Sequence, residues 1–205
     1  MVHLIKKDLI IHKFGWFIYF AMLAIFVFVD RNDTEFIIAL MSAIVTVYVF
    51  YFDEHANGHK LWNALPFTRK EFVSARYVIL IINTVIISGA FIALKLIIQG
   101  GSVQLTWQEI VGGSILVIIC SAWFFPVLYW LSQSNRIFLC FVFYIGSVVI
   151  GVYLLSDLFR SKTGSLVGSP IWHGTMLLNL GLLAICLYFV SWIISIIIYN
   201  KKEIL

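Results

Sequence analysis

The sequence predicts an all-α integral membrane protein with six transmembrane helices, cytoplasmic N- and C-termini and a short N-terminal interfacial helix. Of its 205 residues, 62% are apolar and only 12% are charged, and the mean hydropathy is +1.01. These values exclude an ordinary soluble domain. The apolar residues form runs close to the length that crosses about 30 Å of hydrocarbon at about 1.5 Å per residue. Residues 1–205 are therefore predicted to form a single transmembrane domain.

Six apolar segments are predicted to span the membrane. The first is short, and it could begin inside the preceding segment MVHLIKKDLIIHKFGW, whose lysines and aliphatic residues favour a helix lying in the interface. No small-residue cleavage site follows this run, so no removable signal peptide is expected. Pro126 is expected to bend the fourth span. The predicted spans are Phe14–Val29, Glu35–Phe52, Tyr77–Leu96, Ile110–Ser132, Ile137–Leu155 and Gly174–Tyr199.

Orientation follows from where lysine and arginine lie, because these residues are enriched in cytoplasmic connections. With the N-terminus inside, ten of them are cytoplasmic, three are external and Lys95 lies within a span. The external three are Arg31, Arg160 and Lys162. The cytoplasmic ten are Lys6, Lys7, Lys13, Lys60, Arg69, Lys70, Arg76, Arg136, Lys201 and Lys202. The opposite orientation would invert this ratio, so both termini are predicted to be cytoplasmic.

The most polar stretch is Asp53–Arg76, which reads DEHANGHKLWNALPFTRKEFVSAR and connects spans two and three. It holds seven charged side chains between two long apolar runs, so it is predicted to lie in water or against a polar partner. Pro66 ends any preceding helix, because the residue before a proline is disfavoured in helical conformation. We call Asp53–Arg76 the elbow: a helix, a sharp proline turn, and a second helix that re-enters the membrane.

The second helix of the elbow carries a recognisable start. Thr68 is predicted to be its N-cap, and Glu71 three residues later completes a capping box. Phe67 and Phe72 flank the cap as a hydrophobic staple. Arg69 and Lys70 follow the cap, where the helix dipole disfavours cations. The two cations are therefore predicted to face something acidic, either lipid headgroups or a partner protein.

The sequence contains no recognisable catalytic, cofactor-binding or metal motif. Neither the phosphate-binding pattern G-x-x-x-x-G-K-[ST] nor the zinc pattern H-E-x-x-H occurs. His55 and His59 have the spacing of one helical face, but an exposed polar turn is the commoner meaning of such a pair. No metal site is therefore assigned. The three cysteines, which fall in apolar runs and are expected to be buried by packing, are Cys120, Cys140 and Cys186.

A few polar residues lie within the predicted spans. Lys95 is an intramembrane charge, which by default suggests a functional site, but its long stem is expected to carry the ammonium to the outer interface. Asn83, Ser121 and Asn179 could line a pathway, although joining helices by hydrogen bonds is the commoner role. Two small-residue motifs also permit close helix approach, and they are Gly89-x-x-x-Ala93 and Ser147-x-x-x-Gly151.

Four segments resemble permease subunits of the type-two ABC exporter family, at matching spacing over essentially the whole chain. The opening LIKKDLIIHK resembles the family's start, and WNALPFTRKEFVSARY resembles its stretch between spans two and three. FPVLYWLSQSNRIFL and IIIYNKKEIL resemble its turn between spans four and five and its lysine-rich tail. The most specific part is Leu65-Pro66-x-Thr68-Arg69-Lys70-Glu71. Thr68 and Arg76 stand where members usually carry serine and lysine, and Asn57–Lys60 departs from the usual pattern.

The resemblance implies half of an ATP-driven exporter in the bacterial plasma membrane. The partners it implies are two copies of a separate cytoplasmic ATP-binding subunit and a second permease chain, identical or a sister subunit. ATP and Mg²⁺ would bind the ATPase, so the resemblance implies no cofactor on this chain, no enzymatic activity of its own and no nucleic-acid partner. The residues implied to contact the ATPase are Leu61, Trp62, Asn63, Leu65, Pro66, Phe67, Thr68, Arg69, Lys70 and Glu71.

The family exports hydrophobic or amphipathic peptides, bacteriocins, drugs and lipid-linked glycans. The small size of this chain favours amphipathic peptides or small toxic or hydrophobic compounds. Two other classes of protein remain as alternatives. A passive channel or structural membrane scaffold without ATP coupling would have no need of the elbow, and a membrane-embedded enzyme would need reactive residues at depth, of which the spans offer almost none.

Overall fold

The computed structural model describes residues 13–29, 34–55, 69–99, 107–131, 141–154 and 174–201. Every residue in these ranges is helical, which confirms the predicted all-α class for the described part of the chain. In chain order the six helices are α1 (Lys13–Val29), α2 (Thr34–His55), α3 (Arg69–Gln99), α4 (Trp107–Leu131), α5 (Phe141–Leu154) and α6 (Gly174–Lys201).

Each predicted span falls on one helix, but α3 is longer than its span. It begins at Arg69 instead of Tyr77, so the last eight residues of the elbow form the first two turns of a 31-residue helix. The elbow's first three residues end α2. Residues 56–68 lie outside the described ranges, and so does the predicted interfacial helix as far as residue 12.

Three of the six helices are long and apolar enough to cross a membrane by length and composition, within Lys70–Ile98, Glu109–Leu131 and Leu177–Lys201. The shorter apolar segments are Gly15–Phe28, Thr34–Tyr48 and Phe141–Leu154. A helix normally needs about 20 apolar residues to span the hydrocarbon core, and the three shorter segments fall below this number. The six-span topology and the positions of the termini therefore stay predictions. Pro126, which was expected to bend the fourth span, lies inside α4, and the helix continues beyond it to Leu131.

The helices pack around two apolar clusters, and α2, α3 and α4 contribute to both. One cluster joins α2 through α6 and includes Leu80, Phe125 and Tyr144. The other joins α1, α2 and α3 to the start of α4 and includes Leu23 and Ile38. Among the helix pairs, α4 and α6 have the most extensive contact, followed by α2 and α4. The bundle is thus built on α4, with α2 and α6 packed against it.

Among the glycines that the structure describes, Gly113 on α4 has the tightest surroundings. A Cβ atom added there would come within 2.9 Å of the Glu35 carbonyl oxygen and 3.2 Å of the Glu35 Cα. Both are backbone atoms of the first turn of α2, so neither can rotate away. Only glycine allows α4 to lie this close to α2.

The structure gives different results for the two small-residue motifs that were predicted to permit close helix approach. Gly151 faces α4, where an added Cβ would meet Cys120 Sγ and Leu116 at ordinary contact distances of 3.8 Å. An added Cβ at Gly89 would meet nothing within 4 Å. Among the described residues, the close approach permitted by Gly89-x-x-x-Ala93 is therefore not used.

α6 has the most exposed surface of the three long helices, with only 22% of its most apolar window buried. Its outer face carries large apolar side chains such as Leu178 and Leu182. Cys186 is exposed on this helix, so the prediction that the cysteines are buried is wrong for Cys186 within this chain. It is confirmed for Cys120, and Cys140 lies outside the described residues.

Candidate coupling site at the start of α3

The first turns of α3 carry the part of the elbow that the structure describes. The helix begins at Arg69, immediately after the predicted cap Thr68, and Glu71 lies in its first turn, where a negative charge is favourable. Lys70 is exposed, whereas Glu71 is half-buried and makes contacts. The start of α3 therefore keeps its lysine available while its glutamate turns toward the protein.

Three aromatic residues hold this start of α3 to the ends of two other helices. The ring of Phe72 stacks on that of Tyr199 from α6, with centroids 5.7 Å apart and planes inclined by 20°. Tyr199 also meets Tyr129 of α4 edge-on at 5.5 Å. We call Phe72, Tyr129 and Tyr199 the aromatic clamp. Through it, one end of the bundle gathers the start of α3 and the ends of α4 and α6.

Arg76 lies beside this clamp and is only 2% exposed. Its Cζ lies 5.3 Å from the centroid of the Phe72 ring, within the range of a cation–π contact. Arg76 lies two turns into α3, and its side chain is enclosed by neighbouring helices. Its assignment to the cytoplasmic end of the bundle, which rests on the distribution of lysine and arginine, stays a prediction.

A second set of contacts fixes α3 to α6 one turn further along. The Tyr77 hydroxyl hydrogen-bonds with Ser191 Oγ at 2.7 Å and with Ser195 Oγ at 2.8 Å. Because the two serines are four residues apart, they lie on one face of α6 and both reach the same hydroxyl. We call Tyr77, Ser191 and Ser195 the hydroxyl cluster. All three residues are buried, so their bonds are shielded from water.

Two further hydrogen bonds flank the hydroxyl cluster. The Tyr188 hydroxyl donates to the Tyr77 carbonyl oxygen at 2.8 Å. Trp192 Nε1 donates to Ser74 Oγ at 3.1 Å, and Ser74 Oγ donates in turn to the Lys70 carbonyl oxygen at 2.7 Å. The first three turns of α3 are therefore tied to α6 by rings and by hydrogen bonds, so the two helices are held together where the elbow enters the bundle.

The structure describes only part of the predicted ATPase-contact set. It places Lys70 and Glu71 in the first turn of α3, and Arg69 begins that helix. The members that lie outside the described residues are Leu61, Trp62, Asn63, Leu65, Pro66, Phe67 and Thr68. Sequence reasoning missed Tyr77, Ser191 and Ser195. The available signal was the pair of serines four residues apart on an otherwise apolar helix.

The other intramembrane polar residues have distinct surroundings. Ser121 joins α4 to α5, since its Oγ lies 2.8 Å from the Tyr144 hydroxyl and also donates to the Val117 carbonyl oxygen at 2.6 Å. This confirms the helix-joining role for Ser121. Asn179 is exposed on α6. Asn83 is fully buried.

Lys95 lies near the opposite end of α3 and is only 6% exposed. Its Nζ donates to Thr34 Oγ1 at 3.1 Å and lies 5.4 Å from the centroid of the Phe91 ring. Thr34 is the first residue of α2, so the ammonium of Lys95 lies at the start of that helix. That it extends to the outer interface stays a prediction.

Tyr77→Phe is expected to lower the free energy of unfolding by about 1–2 kcal/mol, because it removes two interhelical hydrogen bonds that each contribute about 1 kcal/mol in membrane proteins. Tyr188→Phe, which removes a single bond to a backbone carbonyl, is the matched control and should cost less. Unfolding in mixed micelles measures both. Equal losses for the two variants would contradict the central place given to the Tyr77 hydroxyl.

Comparison with known proteins identifies the class of molecule to which this helical bundle belongs. The family model described as ABC-2 family transporter protein matches residues 3–200. No curated protein and no solved structure gave a match. The chain therefore belongs to the ABC-2 family of transporter membrane proteins, as the resemblance predicted. Membership makes it a membrane-embedded transport subunit, of the class that works with an ATP-binding subunit.

Proposed function

We propose that this chain is the membrane-spanning permease subunit of an ATP-driven exporter. The observation that carries the proposal is the family match over residues 3–200, which includes the whole elbow. The site at the start of α3 supports it, because an elbow that moves needs a firm attachment to the helices it moves. The aromatic clamp and the hydroxyl cluster are such an attachment.

The elbow is the proposed contact with the ATPase. Lys70 is exposed at the start of α3, one turn before the partly buried Ser74–Trp192 hydrogen bond. A displacement of the elbow would therefore act on α3 and α6 together instead of fraying a single helix end. In this arrangement ATP and Mg²⁺ bind the ATPase, and the permease chain supplies the surface that receives its motion.

The proposed assembly contains two ATPase copies and a second permease chain, identical or a sister subunit, in a bacterial plasma membrane. Both termini and the elbow face the cytoplasm, in keeping with the ten-to-three distribution of lysine and arginine. The proposed cargo is an amphipathic peptide or a small toxic or hydrophobic compound.

A search for an ATP-binding-subunit gene next to the gene for this chain, followed by co-expression of the two proteins, tests the proposal. We expect the two proteins to co-purify and to hydrolyse ATP together in nanodiscs. The control is the same ATPase co-expressed with an unrelated polytopic membrane protein. A chain that purifies to homogeneity without any ATPase, while that ATPase assembles elsewhere, would contradict coupling and favour a passive membrane protein.

A further inference from the structure

Asn83 is the polar side chain that the packing of α3 leaves unsatisfied. It lies one residue from the midpoint of the helix and is fully buried. In the part of the chain that the structure describes, neither its amide nitrogen nor its amide oxygen has a hydrogen-bond partner. Buried amides in proteins are almost always paired, so a carboxamide with both ends unpaired requires an explanation.

Neighbouring polar residues on α3 show that the helix can satisfy short side chains locally. Thr84 Oγ1 donates to the Leu80 carbonyl oxygen at 2.9 Å, and Ser88 Oγ donates to the Thr84 carbonyl oxygen at 2.8 Å. Such bonds to the preceding turn are a normal solution for hydroxyls in apolar helices. Asn83 does not use it, although it lies on the same helix and is equally enclosed.

A second buried group without a partner lies on the helix that packs against α3. Ser42 of α2 is fully buried, and its Oγ has no hydrogen-bond partner among the described residues. The hydrogen bond between Lys95 of α3 and Thr34 of α2 brings these two residues to a similar depth, so they serve as a common reference along both helices. At about 1.5 Å per residue, Ser42 lies about 12 Å along α2 from Thr34 and Asn83 about 18 Å along α3 from Lys95. The two unsatisfied groups are therefore within about two turns of each other in depth.

The chemistry of the two groups limits what could satisfy them. A carboxamide and a hydroxyl are both neutral, and each can donate and accept a hydrogen bond. Neither can balance a charge in a dry interior, where an unpaired ion is far more costly than an unpaired dipole. Their complement is therefore a neutral hydrogen-bonding group, such as the amide of a peptide.

We propose that Asn83, with Ser42 on the facing helix, is a binding site for neutral amide groups of the transported molecule. This inference rests on the proposed transport function and narrows its cargo to amide-bearing compounds, peptides above all. The conformation described has the site closed, because Asn83 is fully buried. Thermal separation of α2 from α3 opens it in the permease chain alone, without ATP, and the cargo then supplies the hydrogen bonds that the packed helices lack.

The test uses the full-length permease chain alone in nanodiscs and an amphipathic leucine–lysine peptide of about 20 residues that carries one photo-leucine. After irradiation, the adducts are mapped by mass spectrometry. We expect adducts on α2 and α3 around Ser42 and Asn83, reduced about tenfold in Asn83→Leu, since hydrogen bonds of this kind change affinity by that order. Asn83→Gln, which retains the carboxamide, should recover part of the labelling.

Thr84→Val is the matched control, because it removes a buried polar group that is already satisfied, and it should leave peptide labelling unchanged.

Thermal unfolding gives a second readout. Asn83→Leu should raise the midpoint by about 2–4 °C by removing an unsatisfied amide, whereas Thr84→Val should not raise it. Adducts confined to the outer face of α6, or wild-type labelling in Asn83→Leu, would overturn the site. A lower midpoint for Asn83→Leu would show that a partner such as trapped water already pairs the amide. None of these readouts uses the ATPase, so a failure of ATP coupling would count against the proposed function and not against this site.

Discussion

Gly113→Val is expected to cost about 3 kcal/mol of stability, at the upper end of the range for overpacked cores. The first added carbon atom would already lie 2.9 Å from the Glu35 carbonyl oxygen and 3.3 Å from Ile38 Cβ. These atoms belong to the first turns of α2, so the whole start of that helix has to move. Because Thr34 lies in the same turn, the hydrogen bond from Lys95 would be lost as well.

Gly89→Ala is the matched control for this prediction. It adds the same first carbon atom to another membrane helix, at a position where nothing lies within 4 Å. Alanine is the better helix former, so this variant should gain up to about 1 kcal/mol. Thermal unfolding in detergent compares the two, with Gly113→Ala as an intermediate step. A loss of similar size at both glycines would mean that helix propensity, and not the approach of α4 to α2, sets the cost.

The positions of the helices could be predicted from the sequence because span length and hydropathy are local properties. Each predicted span falls on a helix, and the helix start read from Thr68 and Glu71 agrees with an α3 that begins at Arg69. The second helix of the elbow and span three form one helix of 31 residues, as expected of a capped helix that re-enters the membrane. The enclosure of Arg76 by tertiary packing was not predicted.

The contacts between helices could not be predicted. Hydropathy locates a residue within an apolar span, but it does not identify the residues of other helices that pack against it. The sequence did not identify the partner of Lys95, a threonine 61 positions earlier in the chain that accepts its hydrogen bond. Tyr77 reaches two serines more than a hundred positions away. Nothing in the sequence distinguishes Gly113 from Gly89. In the folded chain they differ because α2 packs against Gly113 and no atom lies within 4 Å of a Cβ added at Gly89. The half of the candidate site that depends on α6 is therefore visible only in the folded chain.

Asn83 and Tyr77 of the hydroxyl cluster lie on the same helix at different depths, and this gives α3 two proposed roles. Tyr77 is six residues from Asn83, about 9 Å along the axis at about 1.5 Å per residue. Near the elbow α3 is fastened to α6, while at its midpoint it carries an unsatisfied amide. A motion received at the elbow would thus reach the proposed cargo site through one continuous helix.

The largest functional effect is expected from an acidic residue in the apolar part of the elbow. Leu65→Asp and Phe67→Asp should abolish co-purification of the ATPase and its activity with the permease in nanodiscs. An apolar anchor at a protein interface is fully desolvated on binding, and an unpaired carboxylate in its place is strongly unfavourable. Both positions precede α3 in the sequence, and we expect the spans to remain folded, as measured by an unchanged thermal midpoint.

The charged residues that follow distinguish a protein partner from a lipid surface. Lipid headgroups attract cations through a diffuse field, so charge reversal at Arg69 or at Lys70 should act similarly and weaken with salt. At a protein interface the planar arginine and the compact lysine are not interchangeable, so the two reversals should differ. Glu71→Gln keeps the capping box and should leave membrane insertion intact, which makes it the control for disturbance of the helix start.

Full assembly and ATPase activity in both Leu65→Asp and Phe67→Asp would show that the elbow does not dock a motor. In that case, equal and salt-sensitive effects at Arg69 and Lys70 would assign this end of α3 to the membrane surface.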